Sequence, residues 1–395
     1  MLRPVSFAAL LVFAFATAAS AEQSGTDSTR CSERELALDA RHSVALLEGC
    51  GEEYREDLLW HLDRIDQVGS ALDGHFDRHN QGAGSVVYVM DTGIMASHVE
   101  FAGPGGGRVT AGFDVTRSVP VGASTCRSSN KALEPCVANY DELSSSSHGT
   151  AVASIIAGRN VGVAPAASLV SIRVMNERGL ATTEAYVEGL DAIVRHAHSA
   201  RSPRTSIVNI SGWVLERLSS FSSGERVVPF SKVEQKIKSM IAGVDRNGRL
   251  DANGKRFLFV VAANNVDGGC GLSGFVDRFP AILGKRIDGL ISVGGMTAEN
   301  GWWNGGCRGG VEVLAPAQSI FSATITGEDH YRGRRPNMRS GTSFAAPIIA
   351  GIAARLLSDR PDLTPQQLES WIISTPSRID HPASLFADGK VGYVR

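Results

Sequence analysis

From Ser85 onward the chain sets short apolar runs between longer amphipathic or polar stretches. The runs Val86–Met90, Leu169–Val174, Ser206–Ile210 and Phe257–Ala262 have the length and the β-branched and aromatic content of strands. They are apolar almost throughout rather than alternating, which predicts a mostly parallel sheet covered on both faces. Between them lie helical patterns. Thr182 to His196 follows the second strand, and Val233 to Ile241 is amphipathic. His148 to Gly158 carries Val152, Ile155 and Ile156 at helical spacing, and Ile348 to Leu357 reads as a long apolar helix. Thr364-Pro365-Gln366-Gln367 predicts a helix start, with a cap, a proline at the first helical position and a glutamine three residues after the cap. Together these predict an α/β fold of three layers, α/β/α, with one central sheet.

Before Ser85 the pattern differs. Arg3, the apolar run Phe7 to Ala16 and the small residues Ala19-Ser20-Ala21 form a secretory leader, so residues 1–21 are expected to be cleaved off after Ala21. The run is shorter than the ~20 apolar residues a membrane span needs. Ser32-Glu33-Arg34-Glu35 has the form of a capping box, which predicts a helix from that point. Unbroken to Glu48, that helix would be roughly 24 Å long. Cys31 and Cys50 would then be too far apart to bond, since bridged Cα atoms lie within about 7 Å.

Composition narrows the class. A chain of 395 residues holds one large or two ordinary domains. The net charge of −2 provides no basic footprint, so no nucleic-acid partner is expected. The 43 glycines suit an α/β protein rich in tight loops. Six cysteines, Cys31, Cys50, Cys126, Cys136, Cys270 and Cys307, follow the leader. An even count in an exported chain favours disulfides, and the absence of C-x-x-C spacing argues against zinc. Which cysteines pair is left open by the spacing. The stretch Asp245 to Gly254 superficially suggests a calcium loop but lacks the required order of glycine and glutamate, so a solvated turn is expected.

The candidate chemistry stands at the ends of these elements. Asp91 follows a strand and precedes Thr92-Gly93. It is suited either to orienting a base or to capping a turn. His148 opens a helix beside Gly149, and its ordinary pKa suits a general base at neutral pH, although single histidines are usually structural. Asn264-Asn265 closes the strand Phe257–Ala262, as an oxyanion donor or as turn residues. Ser343, in Ser340-Gly341-Thr342-Ser343, lies at the mouth of the apolar helix, where a serine is either an N-cap or a nucleophile favoured by the positive end of the helix dipole.

Their combination and order are far more specific than any one of them. Asp-Thr-Gly after a strand, His-Gly-Thr opening a helix and Gly-Thr-Ser before a helix, in the order Asp, His, Ser, resemble the subtilisin-like serine proteases. The likeness is nearest to their proteinase-K-like and secreted-convertase-like branches. Val87–Ile94 with His98 and Glu100-Phe101, then Gly162–Leu169 and Ala346-Pro347, extend it, and Leu62-Asp63-Arg64-Ile65 resembles the start of a mature enzyme.

The resemblance implies a secreted serine endopeptidase. Ser343 would be the nucleophile, His148 the base and Asp91 its orienting carboxylate, with an oxyanion hole from Asn265 and the Ser343 amide. It implies a substrate-binding strand edge at Asn209-Ile210-Ser211-Gly212-Trp213, although Asn209-Ile210-Ser211 is also a glycosylation sequon. A Cys270–Cys307 disulfide is implied, and a local Cys126–Cys136 bridge is compatible with one loop; Cys31 and Cys50 are further candidates, which bond to each other only if the predicted helix breaks and otherwise pair elsewhere. Residues 58–395 would form the peptidase domain, and residues 22–57 a short extension or reduced propeptide where the family has a domain-sized one. No cofactor is needed for the chemistry; the family often binds structural calcium, but no motif here fixes a site. The expected partner is a polypeptide acted on by a monomer, with no membrane contact after leader cleavage. Two other readings use the same residues: a catalytically silent binding protein and a peptide-ligating acyl transferase. Three departures from the family pattern stand out. They are Ala151 for a second histidine, Asn264 for a glycine before the oxyanion asparagine, and Trp213 for a glycine beside the cleft.

Overall fold

The structure is a computed structural model. It describes mainly residues 59–66, 80–101, 107–115, 148–175, 181–199, 202–215, 228–266, 278–324 and 338–374, with two N-terminal strands and a few positions between. The leader, most of residues 22–57, and Cys31, Cys50, Cys126 and Cys136 lie outside the described residues.

In chain order the elements are β1 (Ser32–Asp39), β2 (His42–Glu48), α1 (Trp60–Asp66), β3 (Val86–Asp91), β4 (Val109–Asp114), β5 (Val119–Pro120), α2 (His148–Ala157), β6 (Ser168–Arg173), β7 (Ala181–Thr182) and α3 (Thr183–Ser199). They continue with β8 (Thr205–Ile210), β9 (Val214–Leu215), α4 (Phe230–Ala242), β10 (Arg256–Ala262), β11 (Leu290–Met296), β12 (Val313–Pro316), β13 (Ile320–Phe321), β14 (Met338–Arg339), α5 (Thr342–Asp359) and α6 (Pro365–Ser374).

The main sheet has eight strands in the order β12-β11-β10-β8-β3-β6-β4-β5, all parallel except the edge strand β5. Its strands divide their side chains between two cores. Val87, Val89, Ile207, Leu258, Val260, Ile291 and Val293 face α2 and α5. Tyr88, Met90, Val208, Ile210, Phe257, Phe259 and Val261 face α3 and α4. This two-sided burial explains the absence of polar alternation in the strand sequences. Each such side chain stabilises the fold by roughly 1.5–3 kcal/mol relative to exposure. The fold is therefore the predicted α/β/α sandwich.

Two expectations are corrected here. The capping-box segment is not helical: β1 and β2 pair as an antiparallel hairpin, Ser32 opposite Glu48 and Asp39 opposite His42. Leu36 and Leu38, and Val44 and Leu46, recur at period two, and strand pairing overrides a local capping signal. The obstacle that a helix posed to Cys31 and Cys50 disappears with it. The serine helix also begins six residues earlier than its apolar run predicts, because Thr342 to Pro347 are small or buried and join its first turns.

The capping box before α6 forms as read. Gln367 N–H donates to Thr364 Oγ1 at 3.3 Å, and Thr364 N–H donates to Gln367 Oε1 at 2.9 Å. Asp245 Oδ1 accepts the Asn247 and Arg249 amides at 2.8 and 2.9 Å, which makes the Asp245–Gly254 stretch a self-satisfied turn. No group of three or more His, Cys, Asp or Glu side chains stands together as a metal site among the described residues.

Helix α6 is fastened to the sheet by an acid pair. Glu369 accepts the Gly289 amide, Glu312 accepts the Ser292 amide at 2.8 Å, and the two carboxyls hydrogen-bond to each other. Burial, with the neighbouring Glu312 charge, pushes Glu369 up to about 8. The folded state therefore holds a proton that the unfolded chain releases near the ordinary carboxyl range, about 4.3. The resulting stability is full below that range and is lost as pH rises through about 8. Thermal unfolding followed by calorimetry from pH 5 to 9 is expected to show Tm falling, and Glu369→Gln to remove most of that fall. An identical pH slope in the variant would show that the pair does not control it.

Candidate active site

Strand β3 lies between β6 and β8, and the chain crosses from one side of it to the other after β6. Such a reversal opens a crevice at the carboxyl ends of the strands. Asp91 is the last residue of β3 and fully buried. Its Oδ1 accepts the Thr92 amide at 2.7 Å and faces His148 Nδ1 at 2.8 Å, with Oδ2 at 3.0 Å from the same nitrogen. A carboxylate on Nδ1 keeps the proton there and leaves Nε2 as the acceptor toward the cleft.

His148 is the first residue of α2, and its side chain is 21% exposed. Two bonds lock this helix end to the aspartate segment: Gly149 N–H to Thr92 Oγ1 at 3.0 Å, and Met95 N–H to Thr150 Oγ1 at 2.9 Å. Gly149 has to be glycine, because a Cβ there would come within 2.2 Å of the Gly93 carbonyl and 3.1 Å of Asp91 Oδ1. The position of Ala151, where a second histidine is common, is fully buried in the core and away from these bonds.

Ser343 is the second residue of α5, so it is not an N-cap; that position belongs to Gly341, at φ 154°. The Ser343 amide is among the first four of the helix, which no helical carbonyl can meet. Pro347 lacks the amide that would otherwise bond to the Ser343 carbonyl. The Ser343 hydroxyl donates to the Ser211 carbonyl at 3.0 Å rather than to His148. Thus Asp91 and His148 are hydrogen-bonded, while Ser343 shares their cleft with its hydroxyl turned to the opposite wall.

Asn265 is oriented by Thr342. Its Oδ1 accepts both the Thr342 amide and the Thr342 hydroxyl at 3.0 Å, which leaves Nδ2 to point elsewhere. Asn264 adopts φ 85°, a left-handed conformation that asparagine tolerates better than other non-glycine residues. This is why it can stand where a glycine is usual. The loop after Asn265 is stapled by Cys270–Cys307, whose Cα atoms are 5.6 Å apart. Replacing both cysteines by serine is expected to lower unfolding free energy by about 4 kcal/mol for this loop length. Urea denaturation of the oxidised and double-serine proteins checks it, and equal midpoints would refute it.

The cleft has a volume of about 180 Å³ and is lined by the His148, Asn265, Thr342 and Ser343 groups together with Ser211, Gly212 and Trp213. Asn209 and Ile210 do not reach it. They lie fully buried in β8, which is paired on both sides by β10 and β3, so they are no free strand edge. Asn209 Nδ2 donates to Ser211 Oγ at 2.9 Å, a burial that also rules out glycosylation of the folded chain there. The sequence reading missed Phe344, whose ring centroid lies 5.5 Å from that of His148, and Met175 in the cleft wall. Neither carries a recognisable chemical signal; only the packing reveals them.

Comparisons with known proteins give the family and agree with the fold. A family model described as the subtilase family matches residues 82–392. An "alkaline serine exoprotease A" of Vibrio alginolyticus is 29% identical over 321 residues, covering 81% of this chain and 47% of that protein. An "extracellular serine proteinase" of Thermus sp. strain Rt41A is 30% identical over 324 residues, covering 80% of this chain and 62% of that protein. The chain thus spans about half to three-fifths of the length of these relatives. Among solved structures, the crystal structure of a cold adapted subtilisin-like serine proteinase superposes with a TM-score of 0.62 at 25% identity, over 86% of this chain and 99% of the other.

Proposed function

This chain belongs to the subtilase family of serine proteases, and from that premise we propose that it is a secreted endopeptidase acting through an acyl-enzyme on Ser343. The observation that carries the reading is the hydrogen-bonded Asp91–His148 pair opening onto the cleft that also holds Ser343 and Asn265. On substrate binding the Ser343 hydroxyl leaves the Ser211 carbonyl and turns to His148 Nε2. Ser343 Oγ then bonds to the scissile carbonyl carbon as its proton passes to Nε2. Asp91 holds the imidazolium through Nδ1–H. The carbonyl oxygen, now negative, receives Asn265 Nδ2–H and the Ser343 amide at the positive end of α5. The carbon–nitrogen bond breaks and the amine leaves with the proton from Nε2. Water, deprotonated by the same nitrogen, then cleaves the ester and restores Ser343.

Secretion is supported by the leader-like pattern of residues 1–21 and by the Thermus relative's description as extracellular. Among the described residues, no helix is long and apolar enough to cross a membrane. The substrate is a polypeptide, and the chemistry uses no cofactor. A serine-directed fluorophosphonate probe tests the reading: the folded protein is expected to be labelled at Ser343 and to cleave casein. Absence of both in folded protein would leave the silent binding reading. A product ratio favouring an added amine over water would instead support the acyl transferase.

A further inference from the structure

Resting on the endopeptidase reading, we propose that Phe344 is a positioning residue, whose ring holds the His148 imidazole at the tilt from which Nε2 reaches Ser343. Asp91 settles only part of that geometry. Its two oxygens lie 2.8 and 3.0 Å from one ring nitrogen, Nδ1. An anchor at one atom does not set the tilt of the ring about it. That tilt decides where Nε2 stands, on the opposite edge of the ring. Proton transfer needs Nε2 within about 2.6–3.2 Å of the serine oxygen. The His148 side chain is 21% exposed and borders the open cleft, so solvent covers part of it and cannot hold it against tilting. A packed neighbour can.

Phe344 is that neighbour. It is buried in the core that α2 and α5 share. Its ring centroid lies 5.5 Å from that of His148 with the planes 54° apart, within the range of aromatic pairs. The ring is itself bounded on other sides. The Phe344 N–H donates to the Gly341 carbonyl at 2.9 Å, and a Cβ on Gly341 would stand 3.5 Å from two of the ring carbons. The guanidinium carbon of Arg339, on a strand paired with β13, lies 6.0 Å from the ring centroid. Phe344 does not line the cleft, so it acts on His148 rather than on substrate. It also follows Ser343 directly in α5. One helical turn therefore carries both the nucleophile and the wall against its base. The base keeps its place while the Ser343 hydroxyl turns from the Ser211 carbonyl toward it.

Kinetics of the full secreted chain on one quenched-fluorescent peptide test the proposal. Phe344→Ala is expected to lower kcat about 10- to 100-fold with KM nearly unchanged, the cost of a base displaced by a fraction of an ångström to about 1 Å. Phe344→Leu keeps the bulk but loses the flat ring, and its kcat is expected to fall about 2- to 10-fold. The deciding measurement adds Phe344→Leu to His148→Ala and follows residual hydrolysis of an activated ester. A residue that acts through His148 has nothing left to position there, so no further loss is expected. An equal loss in both backgrounds, a kcat unchanged in Phe344→Leu, or a rise in KM at constant kcat overturns the proposal. If Phe344→Ala fails to fold, Phe344→Leu in the two backgrounds still decides. Fluorophosphonate labelling of the wild-type chain separates this failure from that of the underlying reading. Labelled Ser343 with kcat indifferent to Phe344→Leu sinks only the positioning role, whereas no labelling and no cleavage sinks the protease.

Discussion

Replacing His148 or Ser343 by alanine is expected to lower kcat about 10⁶-fold, whereas removing the carboxylate by Asp91→Asn costs about 10⁴. The asymmetry follows from the positions. In the proposed mechanism Ser343 and His148 exchange the reacting proton, so without either of them no nucleophile would form. Asp91 only fixes His148, but it does so with both oxygens, at 2.8 and 3.0 Å from Nδ1. An asparagine presenting its NH₂ there would favour the other tautomer and turn Nε2 into a donor. The double variant His148→Ala with Ser343→Ala should be no slower than either single one, because the two act as a unit. Single-turnover hydrolysis of an activated ester measures all four proteins. Equal losses for Asp91→Asn and His148→Ala, or additive losses in the double variant, would contradict the arrangement.

Asn265→Leu is expected to lower kcat by 10²–10³ with KM nearly unchanged. In the proposed mechanism the amide meets the substrate oxygen only once that oxygen carries negative charge, so its loss would be felt in the transition state. Leucine is close in size, which confines the change to the lost donor. Asn265→Asp is expected to be at least as slow. Its carboxylate would satisfy the Thr342 amide and hydroxyl that now bind Oδ1 at 3.0 Å, but would set a negative charge against the developing oxyanion. Steady-state kinetics on one peptide decide the matter; a rise in KM at constant kcat would move Asn265 from the oxyanion hole to ground-state binding.

How much of this was legible depended on the range of the interactions involved. The interior strands could be read because burial on both faces forces apolar residues at successive positions, as in Phe257 to Val261. The capping box at Thr364 could be read because all its partners lie within four residues. The same kind of local signal failed at Ser32, where β1 pairs with a strand several residues away. Asn209 and Ile210 read as an edge, since nothing in one strand's sequence tells how many neighbours it has. The register with β10 and β3 on either side decided that.

The candidate triad divides in the same way. Residue types and their order, Asp91 before Thr92-Gly93, His148 before Gly149, Ser343 after Gly341-Thr342, were enough to assign the family and to name the candidate chemistry. Only the tertiary structure brought Asp91 to His148 across 57 residues, turned Ser343 toward Ser211 and put Phe344 against His148. Those relations are distances between segments far apart along the chain, and they exist only once the sheet has set the segments side by side. The amino-acid sequence by itself determined the interior strands, the start of α6 and the residue types of the candidate site; the packing of the sheet and its helices decided the β1–β2 hairpin and which of the candidate groups meet.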